Sequence, residues 1–214
     1  MMRSLLSVSL CLLLVCSACA PSLTRGCRKE GRQLVRKEQL PPMVDASGHL
    51  CKYNMTVDFM RKHFSGLLLV RETANGTYRT LFSTHFGLSL FDLEIGRDTL
   101  IVHRCIEPLN KKKILTLFRS DFAVLFGLNL HPENEAILYT CPASPVGSVY
   151  RLTTPGAKGY YAIDRQTGAL TAIRIGSGLW KTSFSVLPAD SPQSPVIRIR
   201  HSGLKLSIGL EKLE

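Results

Sequence analysis

Four sets of side chains in this sequence are of types that do chemistry: one carboxylate in an apolar stretch, six histidines, a serine–lysine pair and seven cysteines. The carboxylate is Asp121, within Asn110 to Leu128 (NKKKILTLFRSDFAVLFGL). Its i±3 and i±4 neighbours are Leu117, Phe118, Val124 and Leu125, so in a continuous helix it lies on the apolar side. Burying it unpaired would be costly, and it would need an arginine or backbone donors from elsewhere. The alternative is a break, with Ser120 or Asp121 capping a second short helix from Phe122 to Phe126. Ser202-Gly203-Leu204-Lys205 matches S-x-x-K, but it falls in an expected hairpin turn, where serine and lysine share no helical face. The histidines (His49, His63, His85, His103, His131, His201) are scattered singly, which suits packed or solvated side chains better than metal ligands. There is no G-x-S-x-G, P-loop, H-E-x-x-H or G-x-G-x-x-G. The expectation is a non-enzyme with no catalytic residue, no metal and no cofactor. A hydrolase is the alternative if folding brings a histidine to Asp121 or Ser202 in a cleft.

The cysteines divide by position. Met1 to Cys19 has the form of a targeting segment, with Arg3 as its positive residue and Leu5 to Val15 as a short apolar run. Cys16-Ser17-Ala18-Cys19 then resembles the lipobox of bacterial lipoproteins, in which the cysteine becomes the acylated first residue of the mature chain. This resemblance implies a signal peptide over 1–18 and lipidation at Cys19. An ordinary signal peptide, cut after Ala18 or Ala20, is the alternative. Cys27, Cys51, Cys105 and Cys141 remain in the exported chain. They permit three pairings, and spacing does not choose among them.

The net charge is +11, from 27 Lys and Arg against 16 Asp and Glu. Such a balance admits an anionic membrane or an acidic polymer as a partner. The basic residues between Ala20 and Gly48 (Arg25, Arg28, Lys29, Arg32, Arg36, Lys37) have no aromatics among them, so nucleic acid is not expected. This stretch, 19–48, is expected to be a basic linker beside the membrane, partly a short helix at most. Asn54-Met55-Thr56 and Asn75-Gly76-Thr77 match the glycosylation sequon and keep a eukaryotic secreted protein in view.

Residues 49–214 are expected to form one β-rich domain. Tyr53, Met55, Val57 and Phe59 alternate with polar residues. Strands follow at Phe64 to Glu72, Thr77 to Ser83, Leu88 to Ile95 and Thr99 to Ile106, with Asn75-Gly76 as a hairpin turn. After the helix come seven more strands, from Ala136 to Leu210, which makes twelve at short spacing. The runs Leu67 to Val70 and Leu100 to Val102 are apolar on both faces, which predicts burial on both. In the helix, Leu115, Leu117, Phe118, Phe122, Leu125 and Phe126 share one side with Ile114. Asn110 is the expected N-cap and Gly127 the stop. Lys111, Lys112 and Lys113 sit where the helix dipole disfavours cations. The fold class is mainly β with one principal helix (α+β): a curved antiparallel sheet or incomplete β-barrel covered by that helix.

This order of elements is similar to the LolA/LolB-type lipoprotein-carrier fold. The likeness is carried by Phe64-Ser65-Gly66-Leu67-Leu68, Tyr78 through Thr84, Gly87 through Asp92, and Lys113-Ile114-Leu115 through Asp121-Phe122. It implies a curved, unclosed barrel with an apolar cavity that holds acyl chains. On that implication the ligand-binding candidates are Leu117, Phe118, Phe122, Leu125, Phe126 and Trp180, with Asp121 as a polar candidate. The partners would be the membrane through the lipid anchor and a lipid or lipoprotein ligand. A structural or assembly lipoprotein that docks an envelope protein, with its interior filled, is the alternative. No acidic run follows Cys19, and the expected location is the outer membrane, facing the periplasm.

Overall fold

The computed structural model describes residues 23–154, 157–177, 180–187 and 196–213. Cys19 and the rest of the targeting segment lie outside the described residues. The strands are β1 (Arg28–Arg36), β2 (Cys51–Phe59), β3 (Lys62–Glu72), β4 (Tyr78–Ser83), β5 (Ser89–Ile95) and β6 (Leu100–Cys105). The helix α1 (Lys112–Leu125) follows. Then come β7 (Glu133–Thr140), β8 (Val146–Thr154), β9 (Ala157–Asp164), β10 (Leu170–Ser177), β11 (Trp180–Leu187), β12 (Val196–His201) and β13 (Leu206–Lys212). All thirteen strands join one antiparallel sheet in the order β1-β7-β8-β9-β10-β11-β12-β13-β2-β3-β4-β5-β6. Two meanders, β2–β6 and β7–β13, meet where β13 pairs with β2, and α1 is the link between them.

The twelve expected strands are β2 to β13, with ends moved by a few residues. Alternation is why they were legible: in β2, Cys51, Tyr53, Met55 and Val57 are buried while the residues between them face outward. The sheet is larger than an incomplete barrel implies. It stays open, with β1 and β6 as its edges.

Two expectations need correction. Residues 28–36, within the expected linker, form β1, whose Arg32, Gln33 and Leu34 pair with Ile137, Ala136 and Glu135 of β7. Only Val35 of β1 is buried, and an edge strand exposed on both faces shows no alternation to read. Beyond it, Leu40, Val44 and Ala46 enter the core, and the Val44 N–H donates to the Leu125 carbonyl (3.1 Å). The second correction is β6. Leu100 to Val102 reads as buried on both faces, yet Ile101 is 50% and Val102 38% exposed, because β6 has no neighbour on its outer side.

The core forms on the face toward α1. It joins Met55 and Val57 of β2, Phe82 of β4, Phe91 of β5, Ile173 of β10, Phe184 of β11, Ile199 of β12 and Ile208 of β13 to the helix. Strands from both meanders meet one helix, so this face is concave. A smaller cluster of Cys141, Val149 and Ala162 lies apart from it, covered by Leu23 and Cys27. There the Cys27–Cys141 disulfide spans 114 residues. Cys51 and Cys105 are free thiols, so one of the three possible sets of pairings is half realised.

The helix itself is continuous through Asp121. Lys111, rather than Asn110, occupies the N-cap, with no side chain bonding the first turn. Gly127 does stop the helix. It takes a left-handed φ of 66°. Its N–H donates to the Val124 carbonyl (3.1 Å), and the Leu128 N–H donates to the Ala123 carbonyl (2.8 Å). These two bonds form a Schellman motif.

Candidate functional site

Asp121 finds its partner eighty residues away. The carboxylate points from the buried side of α1 to His201 at the end of β12, with Nε2 at 3.1 Å from Oδ1 and 3.0 Å from Oδ2. The two side chains are 3% and 4% exposed. The single N–H at Nε2 donates to Oδ1, and Oδ2 has no hydrogen bond of its own. On the other side of the ring, Nδ1 lies 3.4 Å from the Leu206 carbonyl oxygen. Both ring nitrogens therefore face acceptors, which favours the doubly protonated imidazolium. Burial pushes the Asp121 carboxyl up, and the His201 hydrogen bond opposes that shift. For His201, burial works against the charge, but the bond to Asp121, its negative charge and the Leu206 carbonyl outweigh it, and the pKa is raised. The pair is an internal ion pair fastening the helix to the sheet.

It is not arranged as a reaction centre. The neighbouring Ser202 and Lys205 are exposed in the β12–β13 turn, and Ser202 Oγ accepts from the Lys181 N–H (2.7 Å). A histidine has come to Asp121, but within the core rather than in a cleft.

A second pairing escaped the sequence. The buried Cys51 thiol lies 3.3 Å from His49 Nε2 and donates to the Asp45 carbonyl (3.1 Å). His49 Nδ1 is 2.9 Å from the Ser47 carbonyl oxygen. A thiol beside an imidazole has the form of a nucleophile and base, but burial pushes this thiol up, opposed by the charge of Lys212. Raised, it is held as the weakly nucleophilic thiol. The signal was only the i, i+2 spacing of His49 and Cys51, and that spacing has no meaning until the loop before β2 turns back.

The candidates for ligand binding fall into three groups. Phe118, Phe122, Leu125 and Phe126 are buried at 0–2% exposure, and Leu117 is half-buried at the margin of the core. Trp180 begins β11, and its side chain lies outside the described residues. The helix rings are in contact with the sheet and with each other. Phe91 lies 5.3 Å from Phe118 and 6.3 Å from Phe122 between centroids. Tyr78 stacks on Phe126 at 4.4 Å, and Phe82 meets Phe91 at 5.3 Å. These separations fall in the range of favourable aromatic pairs. Aromatic side chains of helix and sheet thus meet across the space between them.

On the outer face, β12, β13 and β2 form an open groove of roughly 400 Å³. Arg198 and Arg200 of β12 lie on one side and Asn54, Thr56 and Asp58 of β2 on the other, with Ser207, Gly209 and Glu211 of β13 between. Several of these groups are already bonded: Ser207 Oγ donates to Asp58 (3.4 Å) and Asn54 to Glu211 (3.5 Å). The mixed charges select no ligand class. Among the described residues, no group of three His, Cys, Asp or Glu is placed to hold a metal. No helix among them is long and apolar enough to cross a membrane.

Comparison with protein-family models, curated proteins and solved structures finds no match to this chain.

Proposed function

We propose that this chain is a non-enzymatic lipoprotein of a bacterial envelope, held by acylation at Cys19, that serves as a docking scaffold for an envelope partner. The observation that carries the scaffold reading is the aromatic packing between helix and sheet. The aromatic face of α1, the natural lining of an acyl pocket, is packed on Tyr78 and Phe91. A carrier needs apolar surface left over for its ligand. The anchor rests on the small residues and cysteine that follow the apolar run, and the location at the periplasmic side of the outer membrane rests on the absence of an acidic run after Cys19. Several acyl chains, each contributing about 0.8 kcal/mol per buried CH₂, would hold the protein firmly.

One observation favours the carrier as a second reading. The sheet is open, and a single helix crosses its concave face, as the likeness to the lipoprotein-carrier fold implies. In that reading the helix must leave the sheet for a ligand to enter. The test of the anchor is fractionation of cells that express the Cys19→Ala chain. It is expected to move from the membrane to the soluble fraction, and its persistence in the membrane would contradict anchoring at that residue.

A further inference from the structure

The three most exposed turn side chains of large apolar type, Met60, Phe86 and Leu88, share one rim of the sheet, while Leu34, Leu50, Ile101 and Val102 are exposed elsewhere. The strands β12, β13, β2, β3, β4, β5 and β6 are consecutive neighbours. Three hairpin turns and the β6–α1 connection meet at one end of them. Met60 and Arg61 join β2 to β3, residues 84–88 join β4 to β5, and residues 202–205 join β12 to β13. The Met60 N–H donates to the Lys205 carbonyl (2.7 Å), which ties two of the turns together. The Ile106 N–H donates to the Leu90 carbonyl (3.0 Å), which sets the start of the helical segment beside the third.

At this rim Phe86 is fully exposed (101%), Met60 is 69% and Leu88 is 61% exposed. Met60 also has a φ of 56°, a conformation that costs a bulky side chain energy, and this turn nevertheless places it outward. Arg61, Lys62 and Lys205 in and beside these turns are exposed, as are Lys111, Lys112 and Lys113 at the start of the helix that follows β6. The acids nearby are Asp58, bound to His63 at 2.7 Å, and Glu107, 3.5 Å from Lys111. Six cations against two carboxylates leave four positive charges in excess. At the opposite end of the same strands, turns 73–77 and 96–99 carry no exposed large apolar side chain, and Leu50 before β2 is 49% exposed.

We infer that this rim is a docking surface for an anionic lipid bilayer, with Phe86, Leu88 and Met60 entering the headgroup–acyl boundary and the cations meeting lipid phosphates. Apolar tips ringed by cations are the chemistry of peripheral membrane binding, in which buried apolar area and attraction to anionic lipid add together. The layout also gives a role to the lysines at the start of α1. The helix dipole opposes them, and an anionic surface offsets that cost. The inference does not rest on acylation at Cys19, because the groups are all in the folded domain.

The test uses the exported Cys19→Ala chain and vesicles of phosphatidylcholine with and without phosphatidylglycerol. Binding is expected to require phosphatidylglycerol, to weaken as salt is raised, and to weaken about tenfold in the Met60→Ser, Phe86→Ser double variant. In a Phe86→Trp variant, emission is expected to shift to the blue on binding and to be quenched by lipid brominated on its acyl chains. Equal binding to neutral vesicles, unchanged binding by the double variant, or unquenched emission would each overturn the proposal. Both substituted positions lie in exposed turns, and an unchanged melting temperature shows that a variant remains folded. Fractionation of the Cys19→Ala chain reports on the anchor alone, so the two proposals fail separately.

Discussion

Asp121 and His201 carry the sharpest residue-scale consequence. Taking away one member of a buried ion pair leaves the other charged and unpartnered. His201→Gln is therefore expected to cost about 3–5 kcal/mol, read from denaturant unfolding. Asp121→Asn should cost less, because His201, without the carboxylate that supports its charge, can lose its proton and stay buried as the neutral imidazole. The pH dependence follows from the signs. Both pKa values are raised in the folded protein. The native state then binds more protons than the unfolded one, and stability falls as pH rises. For His201 the contribution is complete below the ordinary histidine pKa near 6.5 and disappears as pH climbs through the raised folded value. The fall for Asp121 begins nearer the ordinary aspartate value of 3.8. Melting temperatures taken across neutral pH should drop on the alkaline side, and the slope should flatten in Asp121→Asn. An equal slope in that variant would assign the effect elsewhere. The oddness of Asp121 was legible in its apolar neighbours. Its partner was not, because eighty residues of chain separate them and a lone histidine at a strand end looks like any other.

The helix and the strands it joins set the element scale. Phe91 is in contact with Phe82, Phe118 and Phe122 and is fully buried. Its replacement by alanine is expected to cost about 3–5 kcal/mol, read by thermal or denaturant unfolding. A change under about 1 kcal/mol would mean that the cluster is loosely packed. The disulfide makes a separate prediction. Cys27–Cys141 joins the segment before β1 to the end of β7 across 114 residues. Closing so long a loop restricts the unfolded chain, and paired substitution of both cysteines by serine should cost about 2–5 kcal/mol. Reduction should lower the melting temperature by the same mechanism. The helix was legible because apolar residues recur at its period and Gly127 takes the left-handed turn that glycine allows. Most of the strands from β2 to β13 were legible because one face of each is buried. β1 was not, since Arg28, Lys29, Arg32 and Arg36 flank a single buried valine and pairing with β7 supplies the order. β6 misled for the opposite reason: it is apolar in sequence, but its neighbours end at β5.

At the scale of the whole molecule, an open thirteen-stranded sheet packs its core face on one helix, and side chains of both form the core. The surface left for function is then the outside: two free edges, an outer groove of mixed charge, and a basic rim with apolar tips. The same phenylalanines on one helical face serve to fill a core or to line a cavity, and sequence alone does not choose; in the structure they meet Tyr78 and Phe91 of the sheet, which supports the proposed scaffold. The most direct test is saturable uptake of a fluorescent acyl probe by the purified Cys19→Ala protein, with lipid extraction and mass spectrometry of the same preparation. A filled interior predicts no co-purified lipid and no stoichiometric binding; one probe per molecule, released when Phe118 or Phe122 is changed, would contradict it.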